Sequence, residues 1–304
     1  MDKLNIDIEK GVIEPRELSA SDRFKFKCYP GIGCFNKCCS AMRINLTPYD
    51  IFRLKNRLGL SYDEFLIKYT QPAAIDRTPL PIVVLKLLDD ETKTCPFLSG
   101  QDGCSVYTDR PSTCRYYPIG RVHMKKVDQP ELREFFVLVK EDHCLGHQED
   151  KEWTINEWRE DQGVDFHDSI TRDWLEIVIK AKSLGMMEFS KGSLDLFFMV
   201  SSNLDMFRKF VFESRFLSAY KLKPDLVDKI RDNEIELLKF SLKWLRFALF
   251  GEGDFDVSDE AKVKAAEHRK KLAEVRKQQL QRREQKAEKD IAHMRKMKKN
   301  RIDN

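Results

Sequence analysis

Every cysteine of the 304-residue chain lies between Cys28 and Cys144, and two of them are adjacent. Ordinary buried thiols would be scattered along the whole sequence. Eight thiolates make two sets of four, the number that completes a tetrahedral zinc site or holds one iron–sulfur cube. We therefore predict a soft-metal protein whose ligands are Cys28, Cys34, Cys38, Cys39, Cys95, Cys104, Cys114 and Cys144.

The compartment decides how clustered cysteines are interpreted. No apolar run near the N-terminus resembles a signal-peptide core, and no stretch approaches the roughly 18 apolar residues of a membrane span. These features predict a cytoplasmic protein without a membrane partner, in which thiols stay reduced. Metal or cluster ligands are then favoured, with redox disulfides and plain buried packing as the alternatives.

The chain is long enough for about two domains, and its 41% hydrophobic residues can fill their cores. The predicted fold class is α+β: a small, irregular cysteine-rich α+β module, then an all-α region and a long, charged C-terminal helix. The predicted segments are a loose leader over 1–21, a metal-binding domain over 22–150, a helical domain over 151–251 and a basic helical tail over 258–304.

Within the cysteine-rich module, local signals predict several elements. Thr47-Pro48-Tyr49-Asp50 combines an N-cap with a proline in the first turn, which predicts a helix to Leu58 that ends at Gly59. Ser61 and Glu64 form a capping box that opens a second helix. Strands are predicted at Phe24–Phe26 and over 82–88 and 135–140.

The region after Glu149 changes character. All four tryptophans lie there, and apolar residues recur at helical spacing. We predict three or four helices between about 154 and 250. An aromatic stripe suggests either a cofactor site or a helical core, and the core is the favoured interpretation. The stripe consists of Phe197, Phe198, Phe207, Phe210 and Phe212.

The basic charge of the chain belongs to its C-terminus. Residues 261–304 contain 16 Lys or Arg and 6 Asp or Glu, whereas the remaining residues hold 38 basic and 44 acidic side chains. Residues 258–301 lack proline and glycine, which predicts a long helix, solvated in the simplest case. Weak binding to a polyanion or to a protein partner is the alternative; the oligomeric state is left open.

Familiar catalytic and cluster motifs are absent. Cys34 and Cys38 begin the C-x3-C-x2-C pattern of radical-SAM enzymes, but Ala41 stands at its last position. No C-x-x-C, no ferredoxin run, no Walker A sequence and no His-Glu-x-x-His occurs. Catalytic residues are therefore unknown from the sequence, and whether the chain is an enzyme stays open.

The cysteine pattern as a whole is more specific. It is C-x5-C-x3-C-C, then Cys-Pro-Phe-Leu from Cys95, Cys-Ser-Val-Tyr from Cys104, Arg-Pro-Ser-Thr-Cys-Arg-Tyr-Tyr-Pro around Cys114, and finally Cys144. This arrangement over residues 24–148 resembles the YkgJ-type cysteine-cluster family, also called the CxxCxxCC zinc- or iron-chelating domain family. The first two intervals are longer here than the two residues that the family name describes.

The resemblance implies that the eight cysteines chelate a metal, as an iron–sulfur cluster or as zinc. Some family members are linked to flagellin lysine methylation, which leaves a metal-dependent oxidoreductase or protein-modifying enzyme as the alternative function. No methyl-donor motif supports that alternative in this chain. An enzyme would need a pocket beside the cysteines, lined by groups such as Arg115, Tyr116 or Tyr117.

Residues around the cysteines suggest further roles. Nearby cations, among them Lys25, Arg115 and Arg121, would lower the thiol pKa values, unless they simply face water. Because a vicinal disulfide is strained, the side chains of Cys38 and Cys39 are expected to diverge, to two centres or to two edges of one. Of the histidines His123, His143 and His147, His147 is the preferred additional ligand.

Overall fold

The computed structural model describes residues 13–14, 16–75, 78–125, 132–183, 189–260, 262–263, 267 and 274. The chain divides into two compact units, one of residues 1–213 and 224–254, the other of residues 214–223 and 255–304. The predicted leader over 1–21 lies largely outside the described residues, and so does the predicted tail helix over 258–304. All eight cysteines are described and belong to the first unit.

Two helices of the cysteine-rich region begin where predicted, and the first also ends where predicted. Helix α1 spans Pro48–Leu58; its capping box is formed by Thr47 and Asp50, and it ends at Gly59, whose φ of 65° is left-handed. Helix α2 spans Tyr62–Tyr69 behind the capping box of Ser61 and Glu64. In both cases the side chains that bond the free amide groups are close in sequence, so the capping pattern was enough to predict where the helix begins.

The strands of the described residues pair into four antiparallel two-stranded sheets. The first joins two distant segments, Arg23–Lys25 and Glu152–Thr154, with Phe24 opposite Trp153. The predicted strands over 82–88 and 135–140 are confirmed with shifted ends, as Pro81–Leu85 and Leu132–Leu138. The pairs are β1 (Arg23–Lys25) with β8 (Glu152–Thr154), β2 (Thr70–Ala74) with β3 (Pro81–Leu85), β4 (Leu98–Ser99) with β5 (Gly103–Cys104), and β6 (Ile119–Lys125) with β7 (Leu132–Leu138).

Helices dominate the rest of the chain. A short helix, α3, spans Ser112–Tyr116 and carries Cys114. The later helices are α4 (Ile155–Gln162), α5 (Val164–Ser183), α6 (Lys191–Ser202), α7 (Leu204–Phe212), α8 (Phe216–Ala219), α9 (Pro224–Asp232) and α10 (Glu234–Phe250). The mixture of helices with small antiparallel sheets confirms the α+β class.

The prediction of three or four helices between 154 and 250 was wrong: the structure has α4 to α10 there. Helices end more often than the spacing of the apolar residues indicates. Gly163 ends α4 in a left-handed conformation, with φ of 63°. Asn203 caps α7 directly after α6 ends, and Asn233 caps α10 directly after α9. Single asparagines thus divide stretches whose hydrophobic pattern continues.

The core of the first unit lies beside the cysteines. Phe24 and Phe26 pack edge to face against Trp158, and Cys144 packs against the same buried cluster. In the helical part Phe197 and Phe207 are fully buried, whereas Phe198 is exposed, so the core interpretation of the aromatic stripe holds for only part of it. Within the second unit, Tyr220 pairs with Val257 and Lys221 N donates to Asp256 O. No described helix is both long and apolar enough to span a membrane.

Candidate metal centre

Four of the predicted ligands line one small cavity of about 20 Å³, which by this measure holds one water-sized occupant. They are Cys28, Cys34, Cys38 and Cys144, accompanied by Tyr117 and His143. Cys28 follows β1, Cys34 and Cys38 lie in the loop after it, and Cys144 comes more than a hundred residues later. Tertiary folding therefore brings together thiols that the sequence separates.

Backbone contacts hold the two distant segments at this cavity. Leu145 N donates to Cys34 Sγ at 3.2 Å, and Lys27 N donates to Gly146 O at 3.0 Å. Gly146 is required by this close approach, because a Cβ there would stand 2.7 Å from the ring of Phe26. The cavity wall is thus fixed by hydrogen bonds that include one sulfur atom.

The remaining cysteines surround a short ladder between residues 39–41 and 93–95. Cys95 N donates to Cys39 O at 2.8 Å, Ala41 N donates to Lys93 O at 3.0 Å, and Ser40 pairs with Thr94. Cys104 lies on β5 opposite Leu98, and Leu98 N donates to Cys95 O at 3.1 Å. Cys114 is contributed by α3.

Cys38 and Cys39 differ in placement, since Cys38 lines the cavity and Cys39 does not. Their thiols still interact, and this interaction is the largest cause that raises the pKa of Cys38. The two residues lie in a single 3-10 turn over Lys37–Cys39. Successive side chains in such a turn are about 120° apart, less than in an extended chain, so the two thiols can still interact.

The expected lowering of the thiol pKa values was also wrong. Burial raises the pKa of Cys28 to about 11, with further contributions from Cys38, Cys34 and Cys144. Burial, followed by the neighbouring thiols of Cys95 and Cys104, raises the pKa of Cys114. The protonated form of Cys28 and Cys114 is thereby favoured, and a bound metal cation is the charge that would reverse this effect.

The cations near the cysteines are engaged elsewhere. Lys25 pairs with Asp150 at 3.0 Å, and the Arg115 guanidinium donates to the backbone carbonyls of Arg110 and Gln162. Arg121 forms ion pairs with Glu134 and Asp168. The exception is Arg110, which counteracts the raised pKa of Cys104 but does not outweigh burial.

The structure favours His143 over His147 as an additional candidate ligand. Nε2 of His147, the preferred candidate, lies 3.0 Å from Val139 O, and its ring packs on Phe26 at 5.2 Å. Its ring is therefore committed to the scaffold. His143 instead lines the cavity; its buried Nε2 makes no hydrogen bond and lies 3.6 Å from Glu141 Oε2. No signal in the sequence separates the two histidines, since both flank Cys144.

Of the residues expected around a substrate pocket, Tyr117 alone lines the cavity. Its hydroxyl donates to Glu141 Oε2 at 2.9 Å. The hydroxyl also interacts with the thiol of Cys144, and this interaction counteracts the burial that raises the pKa of Cys144. Arg115 is buried among backbone carbonyls, and Tyr116 donates its hydroxyl to Asp168. Tyr117 is thus the polar group that orients a cavity thiol.

The donor set suits a thiophilic metal: all eight cysteines are free, and four of them line one cavity. However, no three Cys, His, Asp or Glu side chains in the described part of the chain stand close enough to hold an ion as they are. The side chains would have to rotate inward on binding. The cysteines thus fit a metal by the chemistry of their thiols and by their position around the cavity. Rotation of their side chains would complete the coordination geometry.

Residues 27–145 match the family model CxxCxxCC, described as "Putative zinc- or iron-chelating domain". This match confirms the resemblance inferred from the cysteine motifs and covers every one of the eight cysteines. No curated protein and no solved structure matches the chain.

Proposed function

We propose that residues 28–144 chelate iron, as an iron–sulfur cluster, or zinc through the eight cysteines. The observation that carries this proposal is the cavity in which Cys28, Cys34, Cys38 and Cys144 converge from distant segments. The match to a metal-chelating domain family agrees with it. A reducing compartment such as the cytoplasm is part of the proposal, because the thiols must stay reduced to bind metal.

The two metals make different demands on the protein. An all-thiolate donor set and irregular, glycine-containing loops suit an iron–sulfur cluster. The small volume of the cavity instead suits a single ion such as zinc, unless its walls move apart.

Anaerobic purification, metal analysis and a visible spectrum distinguish the two. An iron–sulfur protein would be coloured and contain iron and acid-labile sulfide in equal amounts. A colourless protein with stoichiometric zinc would exclude the cluster. Anaerobically purified protein that contains neither metal, and takes up neither on reconstitution, would refute the proposal.

The alternative function is a metal-dependent oxidoreductase or protein-modifying enzyme. It is favoured by one observation, the cavity that contains Tyr117 and the unpartnered His143 Nε2 beside four thiols. A structural centre is closed by its protein ligands, whereas a catalytic centre keeps one position for water or substrate. Metal-edge X-ray absorption of the loaded protein would count the ligands: four sulfurs alone favour a structural role, and an added water or nitrogen favours the enzyme.

A further inference from the structure

The cysteines are not distributed around one point. Those that line the cavity, here called the cavity set, are Cys28, Cys34, Cys38 and Cys144. The other four, here called the ladder set, are Cys39, Cys95, Cys104 and Cys114, and none of them lines that cavity. Each set contains the four thiols that a tetrahedral site or a cluster requires.

Backbone pairing holds the ladder set together. Because Ser40 pairs antiparallel with Thr94, Cys39 stands opposite Cys95 in the same register. Directly opposite residues on neighbouring strands have Cβ atoms about 5 Å apart, so their thiols can reach one ion. The turn that follows Cys95 leads into β4, whose Leu98 pairs with Cys104 on β5. Cys95 and Cys104 are the strongest electrostatic partners of the Cys114 thiol, followed by Asp50 and by Cys38 at the boundary between the sets.

The adjacent pair Cys38 and Cys39 lies at the boundary between the sets. The Cys38 side chain lines the cavity, while the Cys39 carbonyl accepts the amide hydrogen of Cys95. Both residues lie in the 3-10 turn Lys37–Cys39, where successive side chains are about 120° apart, so the two sulfurs can reach different sites. One cysteine of the pair is thereby available to each set.

We propose that the eight cysteines form two separate metal centres, one in the cavity set and one in the ladder set. This inference rests on the proposed metal-binding function and adds to it the number of centres and the division of ligands. The centres also differ in access. Cys28 of the cavity set is exposed and His143 lies beside it, whereas the ladder set has no exposed member.

The test compares Cys28→Ser and Cys144→Ser with Cys95→Ser and Cys104→Ser in the full chain. Each protein is purified anaerobically, and each metal is counted per chain by mass spectrometry. If there are two centres, a variant of the cavity set loses the metal of the cavity centre and keeps that of the ladder centre, and a variant of the ladder set does the reverse. The metal lost by a cavity variant and the metal lost by a ladder variant then add up to the wild-type content per chain. If each variant of either set loses all of the metal, one shared centre is present and the inference is overturned.

Folding is controlled separately. Circular dichroism and size exclusion identify any variant that loses metal because it unfolds. Metal transfer from the wild type to a chromophoric chelator should show two phases, the faster from the exposed cavity centre. The control variant Lys68→Ala, at an exposed position of α2, should keep both phases. A single phase that accounts for all the metal overturns the inference, while a wild type without metal, even after reconstitution with zinc or iron, refutes the proposed function itself.

Discussion

Tyr117 is the residue whose single hydroxyl connects the scaffold to a proposed ligand. The hydroxyl donates to Glu141 and interacts with the thiol of Cys144, and the Tyr117 ring packs edge to face on Phe26 with centroids 6.0 Å apart. Groups that hydrogen-bond a metal ligand fix its orientation, and their loss typically costs about 10- to 100-fold in metal affinity. Tyr116, its neighbour, directs its hydroxyl to Asp168 instead.

We therefore expect Tyr117→Phe to weaken metal binding about tenfold while the aromatic packing keeps the fold. Competition with a chromophoric chelator measures the affinity. Tyr116→Phe is the matched control, since it removes a buried hydroxyl one residue away without contact to a cysteine. Equal affinities of Tyr117→Phe and the wild type would show that this hydroxyl does not position Cys144.

Glu134 lies at the centre of a separate polar cleft. Its carboxylate is 3.0 Å from His123 Nε2 and forms an ion pair with Arg121 at 2.6 Å. The hydrogen bond from His123 is the largest cause of the lowered pKa of Glu134, about 2 in the folded protein, and the bond from Arg121 adds to it. Because the folded-state pKa lies below the unfolded value, the ionised form stabilises the fold above the unfolded pKa.

This contribution should disappear as the pH falls from about 5 to about 2. Glu134→Gln should lower the free energy of unfolding at pH 7 by about 1 kcal/mol, a figure reduced for the solvent screening of a half-exposed group. The difference from the wild type should shrink on acidification. Urea unfolding with a chelator present throughout measures it, and Glu152→Gln, in an exposed pair with Arg23, is the control. A difference that is constant with pH would contradict the prediction.

At the scale of elements, two capping boxes of the same kind have different surroundings. Glu64 accepts hydrogen bonds from Ser61 alone, at an exposed helix start. Asp50 caps α1 through Thr47 N at 2.9 Å and also accepts from Ser112 N and Oγ at the start of α3. Asp50 is fully buried, and α3 carries Cys114, so this carboxylate links a helix cap to the ladder set.

We expect Glu64→Ala to cost about 1 kcal/mol, the usual value for a lost helix cap. Asp50→Ala should cost about 3 kcal/mol, because it also leaves buried donors of Ser112 without a partner. Chemical denaturation of the two variants measures both values. Equal losses would mean that the link from α1 to α3 contributes no stability.

At the scale of the whole molecule, the first compact unit contains every cysteine and ends at residue 254. Residues 261–304, with their excess of ten positive charges (16 basic minus 6 acidic), lie beyond it. Contacts that lysine and arginine make with a polyanion weaken steeply as salt is added. The second unit keeps its Tyr220–Val257 pairing when the chain stops after Glu260.

Removal of residues 261–304 should therefore leave metal content and melting temperature unchanged. Binding to a generic DNA duplex should fall, and the binding of the full chain should weaken strongly between 50 and 200 mM salt, values typical of such assays. Equal DNA binding by both proteins would exclude the polyanion role. A loss of metal would instead show that the domain boundary is misplaced.

The sequence alone determined the features that depend on neighbouring residues. Thr47 and Ser61 mark helix starts, because a cap satisfies amide groups within three residues of itself. The order and spacing of the cysteines predicted the match to the CxxCxxCC family model, because such a motif consists of residue types at set positions along the chain. Local signals were weaker in the helical region, where Asn203 and Asn233 split helices that the apolar period joined.

Tertiary structure decided what depends on distance through space. Cys144 meets Cys28 because Leu145 and Gly146 bond back to the early loop, a contact across more than a hundred residues. The same folding places His147 Nε2 against Val139 O, leaves His143 Nε2 without a hydrogen bond at the cavity, and raises the pKa of Cys28 by burial. Residue types thus specify which chemistry is possible, whereas burial and chain crossings decide which side chains can perform it together.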